Sequence, residues 1–562
     1  MQYLKLVKIY KALESTTKRL EKTKIISDFL KECPNEDLQE VMLLLQGIVF
    51  PNWDDRKIGM SSQLILKVIA RSTGESPEKI EREWKKIGDL GLIAEDLIKT
   101  KKQRTLAFNE LTIRKVFENI RKLAELEGSG TVDKKVALIS ELLSNSKPEE
   151  AKFVVRTILE EMRIGVAAGV LRDAIAQAYD IPTEDIEKAL NLLDDFGEIA
   201  VAAKKGIKAL QEIELEPGRP IRVMLAIVVK DVNEGFEYLG KPLQVEYKLD
   251  GFRLEIHKKK NIISLFTRRM EDVTKQFPDV VEFVKKNVKG DSFILDSEAV
   301  GFDKKTKKYM AFQSISQRIK RKYDIEKTAK DFPVELNIFD IVYYNEKSWK
   351  EKPLVERRKL LEKIVKQEKG KIILTKKLVT ADEQEAIDFY KQAIKNGLEG
   401  VMLKNLNAEY KAGRYVNYMC KLKPVLEPLD LVIIGAEYGT GKRAGGLSSF
   451  VLGCKSGNKF LACGMMGTGI KEKVSEEGVT FTELTKILKP YIISEDGKSV
   501  KIKPKIVVEV EYEEIQASPS YESGYALRFP RFKRLRIKEK TEKDANTLED
   551  LKRIYKIQKG RR

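Results

Sequence analysis

The octapeptide Glu246-Tyr247-Lys248-Leu249-Asp250-Gly251-Phe252-Arg253 decides how the central part of this chain is read. It lies in a run where Leu243, Val245, Tyr247 and Leu249 alternate with Gln244, Glu246 and Lys248. A period of two predicts a strand with one buried face. Gly251 permits a sharp turn, so Lys248 is placed at the strand's end. A lysine amine is a poor nucleophile while protonated. Arg253 and a bound metal would disfavour the ammonium and leave an amine able to attack a phosphorus. Taken alone, the same residues also fit an exposed strand lysine.

Farther along, Phe293, Leu295, Ser297 and Ala299 alternate with Ile294, Asp296 and Glu298, and helical patterns intervene near 280–286 and 383–394. A mixed α+β domain is expected over residues 216–424. The clusters Glu216-Pro217-Gly218-Arg219-Pro220 and Lys423-Pro424-Val425-Leu426-Glu427-Pro428 mark its ends. Before it, residues 1–215 read as all-α. Between 149 and 162, Val154, Val155, Ile158, Leu159 and Met162 form one apolar stripe, and Pro148 suits a helix start. Similar patterns occur at 37–45 and 185–193. Beyond 424, short strand-like runs at 430–436, 450–454, 459–463 and 506–512 are set among Gly445-Gly446, Ser456-Gly457 and Asp496-Gly497. Residues 425–562 are therefore expected to form a small β-barrel. A chain of 562 residues is too long for one core, which agrees with several domains.

Lysine and arginine number 105 against 86 acids, a net charge of +19. That surplus points to a polyanion, and nucleic acid is the usual one. A thermophile surface rich in ion pairs is the other reading, and the two are compatible. The only histidine is His257, and no two of Cys33, Cys420, Cys454 and Cys463 have C-x-x-C spacing. Histidine-based nucleophile activation and a zinc ribbon are thereby set aside. There is no apolar run long enough to span a membrane and no secretory h-region at the start, so a cytoplasmic, nucleoid-associated protein is expected.

Glu298 and Glu399 are acids in apolar runs, where a carboxylate needs a cation or donors. Mg²⁺ bound through water and phosphate would meet that need. Lys421 and Lys423 flank Leu422, so both ammoniums leave one strand face and suit a phosphate. Phe339 by itself reads as strand core.

The octapeptide also matches the E-x-K-x-D-G-x-R motif of ATP-dependent DNA ligases, and the family's further motifs follow in order. Phe266 to Thr274 resembles the second and Leu295 to Val300 the third. Asn337 to Ile341 and Leu398 to Lys404 resemble the next two, and Lys421-Leu422-Lys423 and Arg528 to Arg534 complete the series. Glu161-Met162-Arg163-Ile164-Gly165-Val166-Ala167 through Asp173-Ala174 resembles a signature of the DNA-binding domain of archaeal and eukaryotic replicative ligases. RNA ligases and capping guanylyltransferases share the lysine chemistry but lack that domain, and bacterial NAD-dependent ligases carry a cysteine-rich zinc module that is missing here.

The resemblance implies a helical DNA-binding domain, an α+β nucleotidyltransferase domain and an OB-fold barrel. It implies a monomer that uses ATP and Mg²⁺, with Mn²⁺ as a substitute, to seal nicked double-stranded DNA through AMP on Lys248. ADP and NAD stay open as alternative donors. It places Glu246 at the adenine end and Phe339 on the base. Arg253, Arg268, Arg414, Lys421 and Lys423 approach ribose and phosphates. Glu298 contacts the ribose or the metal, Glu399 serves the metal, and Arg531 reaches the leaving phosphates. Met419 stands where the family usually has tryptophan, and Met270 where a smaller or polar residue is common. Gln103, Leu106 and Phe108 loosely resemble a peptide that binds a sliding clamp (PCNA). Gly439-Thr440-Gly441-Lys442-Arg443 lacks the spacing and the Ser/Thr of a P-loop and reads as a basic loop.

Overall fold

The computed structural model describes the chain apart from residues 55, 101–109, 129, 304, 307, 311–314, 316–317, 320–322, 425, 440–442, 444, 473–477, 538 and 559–562; the side chains of Lys85 and Arg414 are also outside the description. From Tyr3 to Gln211 the regular elements among the described residues are helices around one apolar core. Helix Pro148–Ile158 runs through its centre against helix Leu90–Thr100. The expected single stripe is too narrow a reading, because every residue from Glu150 to Ile158 is buried. The charged ones are tolerated because they are paired. Glu14 meets Lys152 at 2.8 Å and Arg156 at 2.7 Å, and Arg156 meets Asp89 at 2.7 Å. The helix stops short of Met162, and Glu160 and Arg163 turn the chain out at φ 56° and 57°.

Two sheets follow. The first has the order Lys377–Thr380, Leu243–Lys248, Gly400–Asn405, Met419–Leu422, Ile227–Val229. The second has the order Ile262–Thr267, Phe252–Lys259, Ser292–Gly301, Val334–Tyr344, Lys347–Ser348, with Ile372–Leu374 also paired to Val334–Tyr344. The octapeptide crosses between them: Lys248 ends one strand and Phe252 begins the other. Gly251 matters for closeness, since a Cβ there would stand 2.4 Å from the Ala299 carbonyl oxygen. Strand Leu243–Lys248 is buried on both faces, not one. Gln244 and Glu246 are each 1% exposed; Glu246 lines a polar cleft, and Gln244 donates to Glu246 at 2.6 Å.

After residue 428 a third sheet has its own core. Its order is Lys459–Met466, Leu447–Ser456, Leu429–Tyr438, Ser499–Ile502, Ile492–Asp496. Val507–Glu511 joins Leu429–Tyr438 and carries Arg531–Leu535 at its other edge. A bridge from Thr468 to Arg531 brings the two ends of this sheet together, so it curls. Helix Leu548–Ile557 lies against it, tied by Gln558 to the backbone of Ile515. The chain thus has a helical N-terminal part and a sheet-rich C-terminal part. No helix among the described residues is long and apolar enough to cross a membrane.

Candidate active site

A cleft of about 1040 Å³ opens where the octapeptide passes from one sheet to the other. Lys248 reaches it from a strand end directly opposite Gly400, and Glu399 precedes that glycine. A Cβ on Gly400 would stand 2.1 Å from the Leu422 carbonyl oxygen, so glycine lets the Glu399 and Lys421–Lys423 segments meet. Lys248 Nζ lies 2.5 Å from Glu399 Oε2, and Lys423 holds the other oxygen of that carboxylate. Lys423 also meets Glu513 of the C-terminal part at 3.2 Å. Burial alone would raise the Glu399 carboxyl, but the Lys248 and Lys423 ammoniums outweigh it and hold it down to about 2. Arg253 does not serve as a free cation beside Lys248. Its Nε lies 2.5 Å from Asp296 Oδ1, and its Nη2 meets Asp296 Oδ2 and the Tyr410 hydroxyl, the latter at 2.7 Å.

Glu298 faces Arg253 across the sheet and lines the cleft. Burial pushes its carboxyl up to about 7, against the pull of Lys248 and Arg253. Lys421 is lowered by burial and by Lys423 and Lys248 nearby. At the far end Glu246 is held by Lys404 at 2.6 Å and Gln244 at 2.6 Å. Above it, half-buried Phe339 has Lys404 Nζ 4.8 Å and the Arg253 guanidinium 5.8 Å from its ring centre. Arg268 is exposed at the rim.

The cleft thus gathers Glu246, Lys248, Arg253, Arg268, Glu298, Phe339, Glu399, Lys421 and Lys423. It does not gather Arg531, which is exposed on the curled sheet; Arg528 and Phe529 line the cleft instead. Nor is the basic segment around Arg531 a free block of charge. Glu509 takes Lys533 at 2.9 Å, Arg534 at 2.6 Å and Arg536 at 2.8 Å, and Arg528 stands 3.7 Å from Glu514. Arg414 has its backbone in the short strand Gly413–Arg414, and its side chain is outside the description. Gln103, Leu106 and Phe108 also lie outside the described residues. In the basic loop, Arg443 pairs with Glu472 and packs on Phe481 at 3.9 Å; residues 440–442 are not described. Met419 packs beside Tyr410 and Met224 in a small apolar cluster. His257 is buried against Glu255 and the Gly218 amide and does not line the cleft.

Reading the sequence alone missed Asp296, Lys404, Tyr410 and Glu513. Asp296 and Lys404 sat inside quoted motifs, and their alternation with apolar neighbours was the available signal. Tyr410 lies between strands, with no periodic pattern to single it out.

Three family descriptions match the chain: DNA ligase N terminus over residues 2–176, ATP dependent DNA ligase domain over 223–423, and ATP dependent DNA ligase C terminal region over 443–539. A DNA ligase of Nanoarchaeum equitans is 48% identical, covering 100% of this chain and 99% of the relative. One of Methanopyrus kandleri is 42% identical, covering 99% of each. Among solved structures, Pmar-Lig_PreS3 shares the fold with a TM-score of 0.57 at 18% identity, over 94% of this chain and 99% of that one.

Proposed function

Because this chain belongs to the ATP-dependent DNA ligase family, we propose that Lys248 carries the AMP and that the cleft around it is the adenylation site. The family seals nicks in duplex DNA with ATP and a divalent metal, typically Mg²⁺. The observation that carries the assignment is Lys248 Nζ held at the cleft by Glu399 at 2.5 Å, beside Lys421, Lys423 and Glu298.

The reaction runs in three displacements at phosphorus. Lys248 Nζ attacks the α-phosphorus of ATP, forming an N–P bond as pyrophosphate leaves. The 5′-phosphate at the nick then takes AMP from Lys248. The 3′-hydroxyl finally attacks that phosphate and displaces AMP. Glu399 positions Lys248 before the first step, and Lys423 shares the same carboxylate. Lys421, Lys423, Arg253, Arg268 and Arg414 balance charge on the nucleotide. Phe339 offers the adenine a face, and Glu246 offers it an acceptor. Glu298 and Glu399 are the carboxylates that would hold Mg²⁺ or Mn²⁺. The described residues contain no group of three or more His, Cys, Asp or Glu able to hold a metal, so phosphate oxygens and water would complete the shell. The bound ion supplies charge neutralisation on the phosphates.

Residues 1–215 are read as the DNA-binding domain, 216–424 as the adenylation domain and 425–562 as an OB-fold domain that reorients to bring Arg531 to the leaving phosphates. Lys57 of the first and Arg528 and Phe529 of the third reach the same cleft, which supports a site assembled from three parts. The protein is read as an intracellular monomer. The segment with Gln103, Leu106 and Phe108 is read as a sliding-clamp contact, tested by replacing all three with Ala: clamp stimulation should vanish while unaided sealing stays. Labelling with radioactive ATP or GTP and chasing onto nicked DNA tests the whole reading. An adduct formed with ATP and transferred to DNA supports it, and one formed only with GTP would point to capping chemistry.

A further inference from the structure

Tyr410 closes a buried triangle with Arg253 and Asp296. Arg253 Nη2 donates to the phenol oxygen at 2.7 Å, and the phenol donates to Asp296 Oδ2 at 3.0 Å. Arg253 also grips Asp296 directly through Nε and Nη2. Tyr410 is 3% exposed, and its hydroxyl is engaged with Arg253 and Asp296. Burial holds its phenol far above the ordinary titration range, which keeps it a donor.

The phenol is fixed from behind. The Tyr410 amide donates to the Lys350 carbonyl at 2.8 Å. Two residues earlier, the Ala408 carbonyl accepts from Arg357 Nη1 at 2.9 Å and from the Leu354 amide at 3.0 Å. Arg357 is fully buried and meets Asp340 at 2.7 Å and 3.0 Å. Asp340 directly follows Phe339, so the aromatic face and the Arg253 fork are tied to one buried network. Nε and Nη2 are bonded inward, Arg253 lines the cleft, and among the described residues Nη1 makes no hydrogen bond.

We propose that Tyr410 is a positioning residue for adenylation: it locks Arg253 so that Nη1 is presented to the nucleotide. Asp296 grips one side of the guanidinium through Nε and Nη2, and the phenol adds a further acceptor at Nη2. This inference rests on the reading of the cleft as the nucleotide site. A hydrogen bond to a charged group that holds it for a ligand is worth about tenfold in affinity.

The test measures MgATP binding by calorimetry in a Lys248→Ala parent, where AMP transfer is blocked. Tyr410→Phe keeps the ring and removes the hydroxyl, and Arg253→Lys keeps the charge and removes the fork. Tyr410→Phe should weaken MgATP by about tenfold in the parent and by less than about twofold in the Arg253→Lys background, because the two act through one interaction. Unchanged affinity, or the same tenfold loss added on top of Arg253→Lys, would overturn the proposal. A thermal midpoint that falls equally in both backgrounds together with that additive loss would assign Tyr410 a structural role only. A parent that binds no MgATP would sink the cleft reading and this inference with it. An adduct formed by the parent would instead contradict the nucleophile assignment alone.

Discussion

Lys248 Nζ and Glu399 Oε2 stand 2.5 Å apart, and the second oxygen of Glu399 is taken by Lys423. One carboxylate therefore balances two ammoniums at the mouth of the cleft. Replacing it with an amide keeps the shape and removes the charge. Glu399→Gln should lower the single-turnover rate of self-adenylation by roughly 10²–10³, the scale expected when one preorganised electrostatic contact is lost. The rate of lysine-AMP formation at saturating MgATP measures this; a change of less than about threefold would mean that Glu399 is not part of the machinery.

Arg531 is exposed and outside the cleft, opposite Glu511 on the next strand but in no ion pair among the described residues, whereas Arg528, Lys533 and Arg534 each have an acid within 4 Å. Arg531 is thus the member of that segment best placed to act elsewhere when the C-terminal part moves. Arg531→Ala should lose self-adenylation with ATP yet still seal a nick whose 5′ end already carries AMP, since the leaving pyrophosphate belongs to the first step only. Equal defects on both substrates would make the segment a DNA contact.

Glu509 holds Lys533, Arg534 and Arg536. Burial acts upward on its carboxyl, but Lys533 and Arg534 prevail and bring it down to about 2. An acid depressed on folding stabilises the fold above its unfolded value near 4.5, and that contribution is lost as pH falls towards 2. The thermal midpoints of wild type and Glu509→Gln should therefore differ most between pH 5 and 7 and converge as pH approaches about 2. A gap that widened on acidification would contradict the pairing.

Arg156 lies within the N-terminal core against Asp89 and Glu14. Removing it takes from buried Asp89 its nearest cation, leaving Arg163 at 3.2 Å. Arg156→Met should cost about 3–5 kcal/mol of stability in denaturant unfolding of the helical part, while Lys11→Met, in an exposed pair with Glu149, should cost less than about 1 kcal/mol. Similar losses for both would show that the buried network adds nothing.

The sequence made the chemistry legible to the extent that it was local. Lys248, Glu298 and Lys421 lie on strands and Glu399 and Lys423 directly beside strand ends, all within short quoted motifs, and the structure gathers them at one cleft. What could not be read was long-range. Arg253 looked like a free cation near Lys248 until the strand Ser292–Gly301 brought Asp296 beside it. The Arg528 to Arg534 run gives no local sign that Lys533 and Arg534 share Glu509, which sits on a strand about twenty residues earlier. Tyr410 acts through a partner 157 positions away, a relation that no local pattern encodes. In the helical part the apolar stripe was found, but helix Pro148–Ile158 is buried all round because distant Glu14 and Asp89 neutralise its cations.

The central claim is that AMP is carried on Lys248. Wild type and Lys248→Ala, each incubated with α-labelled ATP and Mg²⁺, should be digested and the labelled peptide mapped under conditions that preserve the phosphoramide. Wild type should give one labelled peptide, modified at Lys248, and the folded variant should give none. A labelled variant, or a wild-type label on any other residue, would contradict the account.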